Sequence, residues 1–385
     1  MKRALPLVLL AACLDSRVDY VGKRCSSERP CPGDLECSAA TQTCQLPSTC
    51  EPTQPMLCAF TDVALAPGMT PPDLQPGTRL VLQNADYGAL RLTGSGTAGC
   101  PVVLAGPARF TDTLTIDGSH WRVSDLTFEV PSKLYALTTA PGAGDLVFQR
   151  LTFSKTATSR SGGTEYPFDV YLDSNCSNVT ITESQFTGTR APAIFGDSTC
   201  SNVTVRGNRF VTGRDGPTVQ LEGQTGIVEG NDLSGTMTFA AVEFVNGGSG
   251  VVRRNWFHDL TAGGLVAVRG AREVVSNTFT NVETAASCGT FRNNVVQRAT
   301  NGVTCGSAQR AFNLYDDVAS PGALEGSEVQ GAAQLGADGV PGSGSPAVDA
   351  ADPQLPVPSG GGARADIGAF ERGATRLPDG SYCFE

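Results

Sequence analysis

The side chains able to hold a cation or move a proton recur at regular intervals. Between Phe168 and Asp173, Val170 and Leu172 alternate with Asp169, Tyr171 and Asp173. An extended segment with the apolar pair inward turns the other three outward. An offset of 24 residues carries Asp173 to Asp197, and the lines that follow add Gln220, Glu222, Glu243 and Arg269. Carboxylates stacked about 5 Å apart repel unless something neutralises them. Oxygen donors in that arrangement suit Ca²⁺. Asp173, Asp197, Glu222 and Glu243 are therefore the candidate metal ligands, with Ca²⁺ as the candidate cofactor. Glu243 and Arg269, with Lys155 near a long loop, are the candidate acid–base groups. The competing reading is a solvated acidic face, since charge along an edge also discourages association.

A repeat must position this row. Residues 176–186 read CSNVTITESQF and residues 200–210 read CSNVTVRGNRF, an offset of 24. A closing apolar residue recurs at Phe128, Phe153, Phe186, Phe210, Leu233, Phe257, Phe279, Val296 and Tyr315, with gaps of 25, 33, 24, 23, 24, 22, 17 and 19. Two positions before it stands an asparagine in six successive lines: Asn208, Asn231, Asn255, Asn277, Asn294 and Asn313. The Gly-Asn and Arg-Asn pairs are turn chemistry, because Asn tolerates the left-handed region. Upstream of each lies a short β-rich alternation with no helical period.

A unit of this size cannot bury its apolar face alone, so units stack and share one core. At the parallel spacing of about 4.8 Å the asparagines form a column, each amide donating to one neighbour and accepting from the other. A β-sandwich would not hold an asparagine in register through six lines. The expected fold is all-β: a right-handed parallel β-helix with a small N-terminal cysteine-rich module and a C-terminal cap. Cys176 and Cys200 hold equivalent places in neighbouring lines, as do Cys288 and Cys305 where lines shorten to 17–19. Adjacent rungs satisfy the Cα separation a disulfide requires. Bridges Cys176–Cys200 and Cys288–Cys305 are expected, with stacked free thiols as the alternative.

The column resembles the asparagine ladder of the pectate-lyase-like superfamily of right-handed β-helices. Residues 78–128, with the turn Pro76–Thr78, Tyr87-Gly88 and GSGTAGCP (94–101), resemble the opening rungs of polysaccharide lyases acting on alginate and chondroitin. The resemblance implies a Ca²⁺-binding acidic cluster followed by Lys and Arg, which neutralise a uronate carboxylate and take its α-proton. Residues 243–248 supply Glu243, but Gly or Asn stands where that Lys falls. His120 and His258 read as surface residues. Trp256 alternates with Asn255 and Phe257, so it points outward and offers a face to a sugar. The rung ending at Phe186 carries its extra length near residues 154–167, which marks a loop edging a binding face.

The termini differ in character. In MKRALPLVLLAAC (1–13), Lys2 and Arg3 precede an apolar stretch too short to span a bilayer. Leu10-Ala-Ala-Cys13 resembles a bacterial lipobox, which implies lipidation of Cys13, a membrane anchor, and a place in the cell envelope at the outer membrane or surface. Twelve further cysteines in an exported chain suggest disulfides. Those at 25, 31, 37 and 44 resemble the cysteine-rich modules near the start of bacterial surface lipoproteins, and the stretch lacks the histidines and paired CxxC knuckles of a zinc site. The expected boundaries are 1–13 for the signal peptide, 14–58 for the module and linker, 59–316 for the β-helix and 317–385 for the cap. SPAVDAADP (345–353) and ARADIGAFE (363–371) resemble the choice-of-anchor Q element, with Asp349, Arg364 and Asp366 as a fixing charge cluster. A net charge of −10 argues against nucleic acid as a partner. The expected partner is an extracellular polysaccharide, and the chain is expected to be monomeric. Surface display or glycan binding is the expected role, with a polysaccharide lyase or hydrolase as the alternative.

Overall fold

The computed structural model describes residues 36–37, 44–45, 58–131, 134–155, 167–188, 192–211, 216–223, 225–236, 239–245, 249–261, 265–304, 309–374, 376–377, 380 and 382. The chain divides into two units, Met1–Pro52 with Cys383–Glu385, and Thr53–Tyr382. In the first, Glu36–Cys37 pairs antiparallel with Cys44–Gln45. The signal segment, Cys13, Cys25, Cys31, Cys50 and Cys383 lie outside the described residues.

The second unit is a solenoid whose strands pair in parallel, rung on rung. Three sheets run its length. One, called here the groove sheet, includes Tyr135–Thr139, Phe168–Leu172, Ile194–Gly196, Val219–Leu221 and Ala240–Phe244. A central sheet includes Ser177–Thr182, Ser201–Arg206 and Gly226–Glu229. The anchor sheet includes Gln185–Phe186, Arg209–Val211 and Asp232–Thr236. No helix occurs among the described residues.

The closing apolar residues pair directly from rung to rung: Phe128 with Phe153, Phe186 with Phe210, Leu233 with Phe257, and Val296 with Tyr315. The series extends upstream through Phe110 to Tyr87. Successive rings stack inside the coil, with centroids 4.7 Å apart for Phe128–Phe153 and 4.8 Å for Phe153–Phe186. Burying each such ring stabilises the coil by about 2–3 kcal/mol. The late rungs shorten for a visible reason. Twelve residues separate Thr152–Lys155 from Phe168–Leu172, whereas the single strand Thr278–Arg292 passes from anchor to groove to central sheet with no connecting loop.

All six asparagines are buried at the turn between central and anchor sheets. The Asn208 amide donates to Asn231 Oδ1 (3.1 Å), and the same bond repeats down the column to Asn313. Each Oδ1 also accepts the backbone N–H of the asparagine above it, for example Asn231 N to Asn255 Oδ1 at 2.9 Å. Different groups close the ends. Ser184 N–H donates to Asn208 Oδ1, while Asn313 Nδ2 donates to Glu328 Oε1 at 2.7 Å. Glu328 stands two residues before Gln330, which pairs with Tyr315, so it occupies the ladder position of the last rung. The left-handed residue is not the asparagine, as turn chemistry suggested, but the one before it: Gly207, Gly230, Arg254, Ser276, Asn293 and Phe312 have φ of 61, 66, 56, 54, 56 and 55°. The asparagine itself is thereby free to point into the column.

Cys176 and Cys200 are bridged on neighbouring rungs, with Cα atoms 4.5 Å apart. A second bridge joins Cys58 and Cys100, 42 residues apart, with Cα atoms 5.5 Å apart. Cys305, and with it the expected Cys288–Cys305 bridge, lies outside the described residues.

The C-terminal segment does more than close the last rung. Leu314 and Val295 pack with Ala333, Ala347, Ala351, Ala365 and Ile367 in a small separate core. The chain then runs back along the ladder turns. Gly368 N–H donates to Asn293 O, Ala369 N–H to Thr278 Oγ1, and Arg376 Nη2 to Gly230 O at 2.6 Å. It is a strap on the flank of the solenoid rather than a plug on its end. The acids inside it are held by backbone N–H groups: Asp349 accepts from Arg364 N, Asp366 from Asp349 N, and Glu371 from Asp366 N. The Arg364 side chain is thus not the partner expected for these two aspartates: its backbone N–H serves Asp349, and Asp366 accepts from the backbone N–H groups of Asp349 and Arg372.

Candidate functional site

Strand register decides what lies on the groove face. The outward column runs Thr138, Tyr171, Phe195, Gln220, Glu243 and Arg269 through successive paired positions. Two residues further on, Asp173, Asp197 and Glu222 form a second column: Asp197 N–H bonds Leu172 O, and Glu222 N–H bonds Gly196 O. Glu243 is not in it. Val245 takes that place, because Val245 N–H bonds Leu221 O. The expected row of four carboxylates therefore splits into three plus one. Among the described residues no three acidic, His or Cys side chains converge as metal ligands. Asp169, expected outward, is buried.

The acid–base candidates separate as well. Glu243 and Arg269 are neighbours across the groove sheet, with carboxylate and guanidinium 3.7 Å apart. Burial, aided by the Glu222 charge, raises the Glu243 pKa against the pull of Arg269. The Arg269 guanidinium lies 4.9 Å from the ring centre of the exposed Phe239. Lys155 ends a strand of the anchor sheet, paired with Glu129. It lies four rungs before Glu243, roughly 19 Å along the axis at the parallel spacing.

Rings, rather than acids, dominate the centre of the face. Tyr135, Phe168, Tyr171 and Phe195 form a half-buried outward cluster. Tyr171 stacks on Tyr135 at 4.4 Å and on Phe195 at 5.4 Å, and Phe168 lies 5.0 Å from Phe195. The acids border these rings. The Tyr171 hydroxyl pKa is pushed up to about 12 by burial and then by the nearby charges, chiefly Asp173, with Asp197 and Glu222 contributing. Among the described residues the carboxylates bond local groups: Asp173 accepts Ser174 N–H, Asp197 accepts Thr199 N–H and hydroxyl, and Glu222 accepts the Gln220 amide. This quartet was not singled out from sequence, although Tyr171 and Phe195 share the 24-residue offset of Asp173 and Asp197.

The other aromatic candidate is half-buried against the strap. The Trp256 indole meets Phe370 of the strap edge-on at 5.7 Å, stacks on His258 at 4.0 Å, and donates to Thr280 Oγ1. His258 bonds both Asp232 (2.8 Å) and Asp259 (3.1 Å). His120 lies 3.8 Å from Asp145.

Parallel stacking, the three-sheet coil and the internal ladder define a right-handed parallel β-helix. Residues 168–309 match the family described as the right-handed β-helix region. Among solved structures, a pectate lyase, Pel9A, is similar at 14% identity over 82% of this chain and 97% of its own, with a TM-score of 0.51. Also similar are an alginate lyase from Paenibacillus sp. str. FPU-7 (16% identity, 63% of this chain, 91% of its own, TM-score 0.38) and PfbA, a surface adhesin of Streptococcus pneumoniae (11%, 64%, 79%, 0.36). No curated protein sequence matches significantly. At these identities the likeness defines the fold and not an activity.

Proposed function

We propose that this protein is an envelope-anchored lipoprotein that binds an extracellular glycan along its groove sheet. The observation that carries the reading is the outward quartet Tyr135, Phe168, Tyr171 and Phe195. Half-buried rings are rigid and present an apolar face to the C–H face of a sugar. Three carboxylates at the rim add hydrogen-bond acceptors that fix orientation. The detergent-solubilised protein is expected to bind particular polysaccharides on a glycan array. Tyr171→Ala should weaken that binding at least tenfold while leaving the thermal unfolding cooperative. Failure to bind any glycan on the array would sink the proposal.

Anchoring rests on residues 1–13, whose basic start and short apolar core suit a signal peptide and whose Leu10-Ala-Ala-Cys13 resembles a lipobox. Cys13→Ser should leave the chain unprocessed or release it from the envelope. Lipid-labelled wild type and unlabelled variant on a gel would bear this out.

A second reading, a lyase or hydrolase acting on an acidic polysaccharide, is favoured by one observation: Glu243, with its raised pKa, lies beside Arg269. Uronate polymers assayed for unsaturated product by ultraviolet absorbance, with and without Ca²⁺, separate the two readings. Glycan binding without product is the expected result.

A further inference from the structure

We infer that the glycan of the groove sheet carries free amines: it is a glucosamine-type polymer, not a uronate. The inference rests on the glycan-binding reading above and adds the charge of the ligand to it.

Three observations lead there. The first is where this chain leaves its carboxylates unneutralised. Many acids elsewhere on the solenoid face arginines, as Asp62 does Arg79, Asp86 Arg109, Asp117 Arg91, Asp125 Arg150 and Glu328 Arg310, although Glu183 and Asp316 are bonded by glutamine amides instead. Even the buried Glu229 is matched by Arg253 and Arg254. Asp173, Asp197 and Glu222 have no such counter-ion among the described residues; their bonds run to a backbone N–H, a threonine and a glutamine. They sit on adjacent rungs, about 4.8 Å apart, where like charges disfavour one another. A ligand that brings positive charge relieves that repulsion.

The second observation is what lies beside them. The acid column is displaced by two residues from the aromatic column, so each rung from Phe168 to Leu221 presents an aromatic or amide group next to a carboxylate. An ammonium group at that junction donates a charge-assisted hydrogen bond to the carboxylate and is attracted to the ring face. A carboxylate-bearing sugar in the same place would meet three negative charges and no described cation.

The third is where the strip ends. Toward the C-terminal rungs the outward column reaches Arg269, already beside Glu243, and in the opposite direction it reaches Arg91, already bonded to Asp117. A polycation is bounded by these two arginines, over the rungs that carry the rings.

The test uses the full detergent-solubilised protein and four probes followed by calorimetry: a glucosamine tetramer, its fully N-acetylated form, a tetra-uronate, and Ca²⁺. The glucosamine tetramer should bind, and weaken steeply between low and high salt. Acetylation should cost about tenfold or more, which is the loss of the ammonium contacts. Asp173→Asn with Glu222→Gln should remove most of the preference for the amine. Tyr171→Ala should weaken both the amine and the acetylated form. Acetylated tetramer binding as well as the free amine would overturn this inference and leave the glycan reading intact. So would binding of the uronate, or of Ca²⁺ followed by uronate. Binding of no saccharide would overturn both.

Discussion

Asn277 Oδ1 accepts two hydrogen bonds from Asn255, one from its side-chain amide at 3.0 Å and one from its backbone N–H at 2.9 Å. The same Asn255 Nδ2 donates to Val228 O and Arg253 O. One residue therefore satisfies polar groups on three rungs in a site with no access to water. Asn255→Leu removes the acceptor for the Asn231 backbone N–H and side-chain amide, and takes from Asn277 Oδ1 its side-chain donor while the backbone N–H of residue 255 remains. Loss of buried partners costs about 1–3 kcal/mol, measured as a drop in the urea midpoint. A change below a few tenths would show that the column contributes nothing net. Ser184→Ala, at the ladder's edge, should cost less than the central substitution, because it removes only the hydroxyl's bonds to Leu151 N–H and Thr182 O and keeps the backbone N–H bond to Asn208.

Disulfides give a covalent check on the register. Cys176–Cys200 closes a loop of 24 residues, and Cys58–Cys100 one of 42. A cross-link of the shorter size stabilises by about 3 kcal/mol where the unfolded chain is the state constrained. An unreduced digest should yield both linked peptide pairs by mass spectrometry. Cys176→Ser with Cys200→Ser should lower the melting temperature while the folded signature persists, since Val179 and Val203 still pair beside the lost bridge. Peptides linking either cysteine elsewhere would shift the rungs.

The strap gives the molecule an unusual pH response. Burial, with the charges of Asp366 and Asp349, pushes Glu371 up to about 7 despite its backbone hydrogen bonds. Burial also raises Asp366. For His258, burial alone would lower the pKa, but the bonds to Asp232 and Asp259 outweigh it and the net shift is upward. All three groups hold their protons more tightly folded than unfolded. Their contribution is complete below the unfolded values and lost as pH rises through the folded ones. Stability should fall from about pH 5 to pH 8, with Glu371 supplying at most about 3 kcal/mol. Glu371→Gln should match wild type at pH 5 and exceed it at pH 8. A melting temperature that climbs between pH 5 and pH 7 would contradict this.

What was legible in the sequence is what repeats. The anchors and asparagines were readable because a buried position in a solenoid is constrained identically on each rung. Tyr87 and Phe110, which precede the first anchor read, have Ala85 and Ala108 rather than asparagine at their ladder positions. Glu243 was placed in the wrong column by a step of 21 from Glu222, whereas the rung step is the 23 from Gln220. Half of the aromatic quartet was hidden by the 33-residue rung, which breaks the offset between Tyr135 and Phe168. The strap has no period at all. Its course is set by individual contacts such as Asp352 N–H to Asn293 Oδ1, which no local pattern encodes.

The strap's far end depends on two glycines. Gly230 has φ of 66° at the ladder turn, and Gly380 of the strap has φ of 77°. A Cβ added to Gly230 would stand 2.8 Å from the Gly380 backbone, closer than real Cβ atoms come. Only backbone meets backbone here, so neither side can yield by turning a side chain. Arg376 seals the contact by donating to Gly230 O. Gly230→Ala should therefore expel the end of the strap and expose the Arg254 side of the turn. Gly207→Ala, one rung earlier with φ of 61°, adds a Cβ at the same left-handed position and so carries the same backbone strain. Subtracting the two isolates the strap. Limited proteolysis should cut the Gly230 variant between Ala369 and Tyr382 several-fold faster than both wild type and the Gly207 variant. The solenoid of each should remain resistant. Equal cleavage rates in the two variants would mean that the strap is held elsewhere, by Ala369 and Gly368 on the Thr278 rung.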